Sequence, residues 1–408
     1  MRSEKLMIPN ADGQQLAARL DLPVDGKPIA YALFAHCFTC SKNLRAVTNI
    51  SRALTQEGFA VLRFDFTGLG ESEGDFADTN FSSNVADLVK AADYLGEHYG
   101  GPQLLIGHSL GGAAVLQAAG QIPACEAVVT VGAPANPVHV KHNFQGALAT
   151  IEEDGEATVQ LAGRPFKIKK QFLDDLEEQK MQETIRNLKR ALLVMHAPRD
   201  NTVGIENAAE IFTAAKHPKT FVSLDQADHL LTDQADSLYV GNMIAAWVQR
   251  YIARPEEAEN QLEGREDRVV VRTEQGYTSQ VLAGGHGLLL DEPLAVGGNN
   301  LGPTPYDYLL AGLGGCTGIT LRMYADRKGW PLDAVEIHLG HDKIHAEDCA
   351  NCESTEGKID QITREIKLEG DLSTEQRTRL MEIAEKCPVH RTLHNEINVV
   401  THLVDIVQ

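Results

Sequence analysis

The run QLLIGHSLGGAAVLQAA, Gln103 to Ala119, leaves the chain few folds to choose from. A short apolar stretch leads into Ser109, with Gly107 two residues before it and Gly111 two after. An alanine-rich helical pattern follows. A strand turns that sharply into a helix only where neighbouring backbones come close, and side chains at the two glycine positions would strike them. Such a turn lifts the serine hydroxyl clear of the chain at the carboxyl end of a buried strand. A glycine-rich structural turn is spelled the same way, so the surroundings decide. Here a strand pattern precedes and a helix pattern follows.

The stretches around this turn repeat one theme. IAYALFAH ends at a turn, and NLRAVTNISRALTQEG reads as a helix closed by Gly58. FAVLRFDF is the next strand and NVADLVKAADYLGEHYG the next helix. ACEAVVTVGAP and RALLVMHAP are later strands. Continuous apolar strands alternating with helices predict a parallel sheet covered on both faces, over residues 1–252. Between Pro137 and Lys189 the pattern weakens. There EATVQLAGRPFKIKKQF reads as a hairpin turning at Ala162-Gly163, in an insertion above the sheet.

A serine nucleophile needs a base, an acid to orient the base, and donors for the oxyanion. On a sheet of this kind the chain order is serine, acid, histidine. Asp200, at the end of the strand in MHAPRDNTV, and His229, in LDQADHLL, follow in that order. Asp225 is a rival acid, but it lies in the His229 loop and not at a strand end. The oxyanion donors expected are the backbone N–H groups of Leu110 and of Phe38, in the early loop HCFTC. His36, His108 and His196 read as structural. Taken together, AHCF, RFDFTGLGES, GHSLGG, APRDNTV and ADHLL resemble the α/β-hydrolase fold. Cys37 stands where many members of that fold carry glycine.

Beyond residue 252 the composition changes. ARPEEAENQLEGRED is polar and acidic and carries a proline, which marks residues 253–267 as a linker. Residues 268–408 then group strands around two helices, as an α+β domain does. RVVVRT, GYTSQVLAG and GLLLDEP read as strands, followed by a long helix from about Pro305 to Lys328. DAVEIHLGHDKI and KIDQITREIKLEG are strands, STEQRTRLMEIAEKC is a helix capped by Ser373, and NEINVVTHLV is a final strand.

The long helix places Cys316 behind Gly314 and Gly315, where backbone or another helix can approach closely. A small core filler would also suit that position. GPTPYDYLLAGLGGCTGITLRMYADRKG resembles the central helix of the OsmC/Ohr-like family, and AEKCPVHRTL resembles the segment that carries the family's second cysteine. That resemblance implies a peroxide-reducing thiol pair at Cys316 and Cys387, an external thiol reductant, and an intertwined homodimer with sites at the subunit interface. Peroxidase members also have an early-strand arginine, buttressed by a glutamate just after the proline that opens the helix. Tyr306 and then Asp307 stand there in this chain, and its early strands offer Arg268 and Arg272. The whole arrangement resembles bifunctional fusions of an α/β hydrolase with an OsmC-like domain. These imply ester and organic hydroperoxide substrates, and no cofactor.

Two further clusters qualify this reading. His341, His345, Cys349 and Cys352 are zinc-ligand types, with C-x-x-C spacing at one end, but they also fit an accessory thiol role or a plain loop. Cys37 and Cys40 form a second C-x-x-C, read as structural. A formal net charge of −20 repels nucleic acid and anionic membrane surfaces. No apolar run is long enough to span a membrane. Seven cysteines and no apolar leader at the N-terminus favour the cytoplasm over a secreted disulfide framework. The alternative for the second domain is a dimerisation or ligand-binding module without peroxidase activity.

Overall fold

The computed structural model describes residues 2–24, 28–161, 163–252, 269–273, 276–345 and 357–403. Its compact units are Met1–Glu274 with Ser279–Leu288, and Gln275–Thr278 with Leu289–Gln408.

In the first unit β1 (Arg2–Pro9) and β2 (Gln15–Leu22) form an antiparallel hairpin. Then come β3 (Ala30–Ala35), α1 (Arg45–Gln56), β4 (Phe59–Phe64), α2 (Phe81–His98), β5 (Leu104–His108), α3 (Leu110–Ala118) and β6 (Ala127–Val131). The insertion follows, with α4 (Leu148–Asp154), the hairpin of β7 (Glu156–Leu161) and β8 (Arg164–Lys169), α5 (Lys170–Glu177) and α6 (Met181–Arg186). It is the expected hairpin, although Ala162 at its turn lies outside the described residues. The chain then returns to the sheet through β9 (Ala191–His196), α7 (Glu206–Ala214), β10 (Lys219–Ser223) and α8 (Gln234–Val248).

The main sheet runs β1-β2-β4-β3-β5-β6-β9-β10. From β4 to β10 every neighbour is parallel, and β2 alone runs against them, antiparallel to both β4 and the outermost β1. β4, β5, β6 and β9 are buried at every position, because helices cover both faces. Alternate residues divide between the two cores. Leu33, Leu62, Leu105 and Leu192 pack with α2 and α3, whereas Phe34, Val61, Ile106 and Leu193 pack with α1 and α8. The β1–β2 hairpin is an element that the sequence reading passes over. Asn10 makes its turn by accepting hydrogen bonds from the N–H groups of Asp12 and Gln14.

The linker at 253–267 lies outside the described residues. Past it, β11 (Val270–Thr273), β12 (Ser279–Ala283) and β13 (His286–Leu290) form a three-stranded sheet. Its Ser279–Leu288 stretch belongs to the first unit, where Gln280 donates to the Thr55 hydroxyl at 3.5 Å. The second unit holds α9 (Pro305–Lys328), the antiparallel pair β14 (Ala334–His345) and β15 (Lys358–Glu369), α10 (Thr374–Ala384) and α11 (Pro388–His394). Thr304 and Ser373 close capping boxes at the starts of α9 and α10. The final strand read over NEINVVTHLV is absent from its described residues, 395–403. Among the described residues its alternating pattern pairs with no other strand. Val399, Val400 and Leu403 are 79%, 64% and 97% exposed.

Candidate functional site

Ser109 sits between β5 and α3 at φ 56°, ψ −127°, a region that L-residues seldom enter. The two glycines make the turn possible. A Cβ on Gly107 would stand 2.2 Å from the Gly111 carbonyl oxygen, and one on Gly111 would stand 2.4 Å from that of Ala35. The serine is thus held in place by backbones that only glycine lets approach.

β9 ends in the loop that carries Asp200, and His229 comes from the loop before α8. The structure brings these residues together with Ser109. Ser109 Oγ lies 3.0 Å from His229 Nε2, and His229 Nδ1 lies 2.7 Å from Asp200 Oδ2. The other carboxylate oxygen, Asp200 Oδ1, accepts from the N–H groups of Thr202 at 2.8 Å and Val203 at 2.9 Å. Burial works to raise the Asp200 pKa, but the His229 bond and these N–H groups outweigh it and hold the carboxyl below its usual range. The tautomer that donates from Nδ1 to Asp200 leaves Nε2 free to accept the serine proton. Asp225 does not compete, since it is engaged with the Ser223 hydroxyl.

The neighbouring histidines buttress this arrangement. His196 Nε2 bonds the Val203 carbonyl at 2.8 Å and lies 3.7 Å from Asp200. His108 Nε2 donates to the His229 carbonyl at 2.7 Å, which fixes the backbone that carries the base. Burial, with the nearby His229 ring, pushes the His108 pKa down to about 4. The unfolded imidazole titrates near 6.5 and binds protons more readily than the folded one. Stability therefore falls as pH drops from about 6.5 to 4, by at most about 3 kcal/mol, and this contribution levels off below that window. His108→Gln keeps a donor but does not titrate in this range. Urea unfolding across the window should show a shallower pH slope for that variant, and an unchanged slope would contradict the assignment.

Leu110 opens α3, so its N–H is one of those a helix leaves without an internal acceptor. Phe38 lies in the facing loop, between Cys37 and Cys40, which are joined by a disulfide. The serine opens into a cavity of about 630 Å³, with Phe38 and Leu44 on one side and Leu161 and Arg164 of the β7–β8 hairpin on another.

In the second unit Cys316 lies on α9, and Cys387 is the N-cap of α11. Cys387 has no solvent exposure, whereas Cys316 is half-buried. The Cys387 sulfur accepts from the His390 N–H at 3.3 Å, and the Thr317 hydroxyl lies 3.5 Å away. That hydroxyl has one proton to share between Cys387 and the Leu313 carbonyl at 2.8 Å. Burial works to raise the Cys387 pKa. Hydrogen bonds from His390, Thr317 and Cys316 outweigh it and bring the thiol below its usual value. Behind Thr317 stands Arg364, 2.8 Å from its hydroxyl oxygen and 2.8 Å from Glu385.

The guanidinium that reaches toward Cys387 through Thr317 thus comes from Arg364 on β15, and not from the early strands, whose Arg268 and Arg272 are the expected candidates. Arg268 lies outside the described residues, and Arg272 falls in the first unit. A signal was present in the half-buried series Ile362, Arg364, Ile366, Leu368, where one cation interrupts the apolar positions of a strand.

Of the four zinc-type residues, His341 and His345 fall among the described residues. His341 stacks on Tyr306 and bonds Asp360 at 2.9 Å, and Cys349 and Cys352 lie outside the described residues. Among the described residues there is no cluster of three or more His, Cys, Asp or Glu fit to hold a metal. Nor is any described helix long and apolar enough to cross a membrane.

Comparison with known proteins agrees with both halves. Residues 32–297 match the Alpha/beta hydrolase family and residues 297–402 match OsmC-like protein. The crystal structure of the esterase domain from a Rhodothermus marinus protein is 56% identical, covering 62% of this chain and 100% of its own, with a TM-score of 0.53. Alpha/beta hydrolase domain-containing protein 10 from mouse, 19% identical with a TM-score of 0.51, shares the fold over 60% of this chain and 99% of its own. Palmitoyl-protein thioesterase ABHD10, mitochondrial, from Mus musculus is 26% identical over 186 residues, 44% of this chain and 62% of that protein. Monoglyceride lipase from Homo sapiens is 32% identical over 118 residues, 28% of this chain and 38% of that protein. The chain thus spans less than two thirds of the length of these curated relatives.

Proposed function

The chain belongs to the alpha/beta hydrolase family and continues into an OsmC-like domain, and from that premise we propose a serine ester or thioester hydrolase joined to a thiol-dependent organic hydroperoxide reductase. One observation carries the hydrolase reading: the unbroken chain of hydrogen bonds from Ser109 through His229 to Asp200. Ser109 Oγ attacks the acyl carbon while its proton passes to His229 Nε2. Negative charge gathers on the carbonyl oxygen, where the N–H groups of Phe38 and Leu110 receive it. The imidazolium, steadied by Asp200, returns the proton to the leaving alcohol or thiol. Water then repeats the sequence on the acyl-enzyme and frees the acid. Esterase, thioesterase and lipase relatives favour an acyl ester or thioester, and the apolar cavity side chains suit an acyl chain.

In the second domain the Cys316 thiolate attacks the peroxide O–O bond. It becomes a sulfenic acid and releases the alcohol. The Cys387 thiolate then attacks that sulfur, forming a disulfide and expelling water, and an external thiol reductant restores both thiols. The contact between Cys387 and Cys316 supports this pairing. The second reading, a dimerisation or ligand-binding module, draws on the Tyr306–His341 stack where peroxidases keep a glutamate. The deciding assay measures ester turnover and dithiol-dependent consumption of an organic hydroperoxide on one preparation of the protein. Ester turnover without peroxide consumption favours the module. The described cysteines Cys125, Cys316 and Cys387 are free, which suits a reducing compartment such as the cytoplasm, where the Cys37–Cys40 bridge would then be a redox-active one.

The same reading expects a homodimer through the second domain. A two-stranded sheet is marginal by itself, and the apolar, strand-like residues 395–403 pair with no strand among the described residues. Full-length protein should scatter light as a dimer, and the double variant Val399→Glu, Val400→Glu as a monomer. A wild type that is monomeric at micromolar concentration would remove this part of the proposal.

A further inference from the structure

The mechanism above makes no use of Cys37 or Cys40, yet both line the cavity into which Ser109 opens. Their Cα atoms are 5.3 Å apart and they are joined. The ring so closed contains Phe38 and Thr39, and therefore the Phe38 N–H. The Cys40 N–H also bonds the Cys37 carbonyl at 3.2 Å, which makes the segment a turn. Both flanks of the loop are anchored independently. His36 is buried with its ring edge-on to Phe66 at 5.1 Å between centroids, and the buried Lys42 ammonium lies 2.5 Å from the Asp65 carboxylate. Between these anchors the Phe38 ring packs on Phe76 and Phe172, with centroids 5.4 Å apart in each case, and two polar or covalent holds act on the backbone itself. They are the bridge itself and Arg164 of the β7–β8 hairpin, which donates to the Thr39 carbonyl. Cys37 is 5% exposed. Cys40 is only half-buried, on the cavity wall, so it is the sulfur that a dissolved thiol can reach.

We propose that Cys37–Cys40 is a thiol–disulfide site that sets the activity of the hydrolase, with the bridged form holding the oxyanion loop in its competent turn. The proposal rests on Phe38 being an oxyanion donor, as read above. The chemistry is ordinary thiol exchange. A reductant thiolate attacks the Cys40 sulfur, the bridge S–S bond breaks, and the electron pair leaves on Cys37, which takes up a proton. A second reductant thiolate attacks the reductant's own sulfur in the mixed disulfide. Cys40 is released as a thiolate and takes up the second proton, and the reductant departs as a disulfide. The bridge gains two electrons and two protons, and the reductant is oxidised by the same amount. Excess reductant disulfide reverses every step. This is the class of thiol that the peroxide cycle consumes. Oxidising conditions would thus close the bridge and activate the hydrolase while the second domain is drawing on reductant. An oxyanion donor acts only when held about 3 Å from the developing charge, so freeing a turn at this point changes catalysis without touching the triad.

The test uses full-length protein and p-nitrophenyl butyrate, with tris(2-carboxyethyl)phosphine as reductant because thiols attack activated esters. Differential alkylation and peptide mass mapping report the bridge. Reduction should open Cys37–Cys40 and lower kcat about tenfold or more, a part of the 10²–10³ cost of losing one oxyanion donor. Reoxidation with diamide should restore it. The double variant Cys316→Ser, Cys387→Ser should respond as wild type does. The pair Cys37→Ser, Cys40→Ser should stay at the low rate whatever the reagent. Should that pair fail to fold, the wild-type cycle decides alone. An opened bridge with unchanged kcat overturns the proposal, as does no bridge after diamide. So does a response that disappears with Cys316 and Cys387. Failure of the underlying reading shows elsewhere, as ester turnover that survives Ser109→Ala.

Discussion

Ser109→Ala is expected to lower kcat for short p-nitrophenyl esters by about 10⁴-fold or more and to abolish labelling by a fluorophosphonate. The hydroxyl is both the attacking atom and the acceptor of the phosphonyl group, so no neighbour can replace it. KM should change little, because the cavity wall is untouched. Stability should change little too, since alanine removes one oxygen from a site whose shape the two flanking glycines impose. His229→Ala should cost a similar factor, and Asp200→Asn about 10⁴ through loss of the tautomer that donates to the acid. Combining Ser109→Ala with His229→Ala should cost hardly more than either alone, because a base has no task without its nucleophile. Additive losses would mean that the two residues act separately. Undiminished labelling of Ser109→Ala would move the nucleophile elsewhere.

The hydrolase half was legible because its constraints are local. A buried parallel strand announces itself as an unbroken apolar run, and Gly107 and Gly111 are demanded by contacts within a few ångströms of the turn. The strand end before Asp200 and the chain order then put the acid and the base within reach of the serine. The β1–β2 hairpin was not legible, for β1 is the outermost strand with a blurred, partly exposed pattern, and Arg19 and the buried Asp21 interrupt the apolar run of β2. Residues 395–403 failed for a different reason. Their alternation is that of a strand, but a strand forms only when it pairs with another, and among the described residues they pair with none. Arg364 escaped because its partners, Thr317 and Glu385, lie 47 and 21 residues away in sequence. No local pattern joins them.

Arg364 also bears on the second large effect, a Cys316–Cys387 disulfide formed on treatment with an organic hydroperoxide. Mass mapping should recover that cross-link from wild type. Cys316→Ser should consume no peroxide above background. Cys387→Ser should react once and stop, with Cys316 trapped as a sulfenic acid or as a mixed disulfide. The surroundings of the two sulfurs divide the labour. Cys316 is the more exposed and can meet the peroxide, whereas Cys387 is buried and held by the His390 N–H and the Thr317 hydroxyl. A thiol held below its usual pKa is a better leaving group, so the external reductant should attack the Cys316 sulfur and expel Cys387. Arg364 acts through Thr317. While its guanidinium occupies the hydroxyl's acceptor side, the hydroxyl proton is free to turn toward a Cys387 thiolate. Arg364→Met should therefore leave the first oxidation of Cys316 nearly intact and slow disulfide formation, with a larger deficit at pH 6 than at pH 9, where even an unassisted thiol ionises. An equal deficit at both values would reduce Arg364 to a packing role. A Cys349–Cys352 cross-link, with Cys316 still a thiol under excess peroxide, would take the redox chemistry away from α9 and leave the second domain as a binding or dimerisation module.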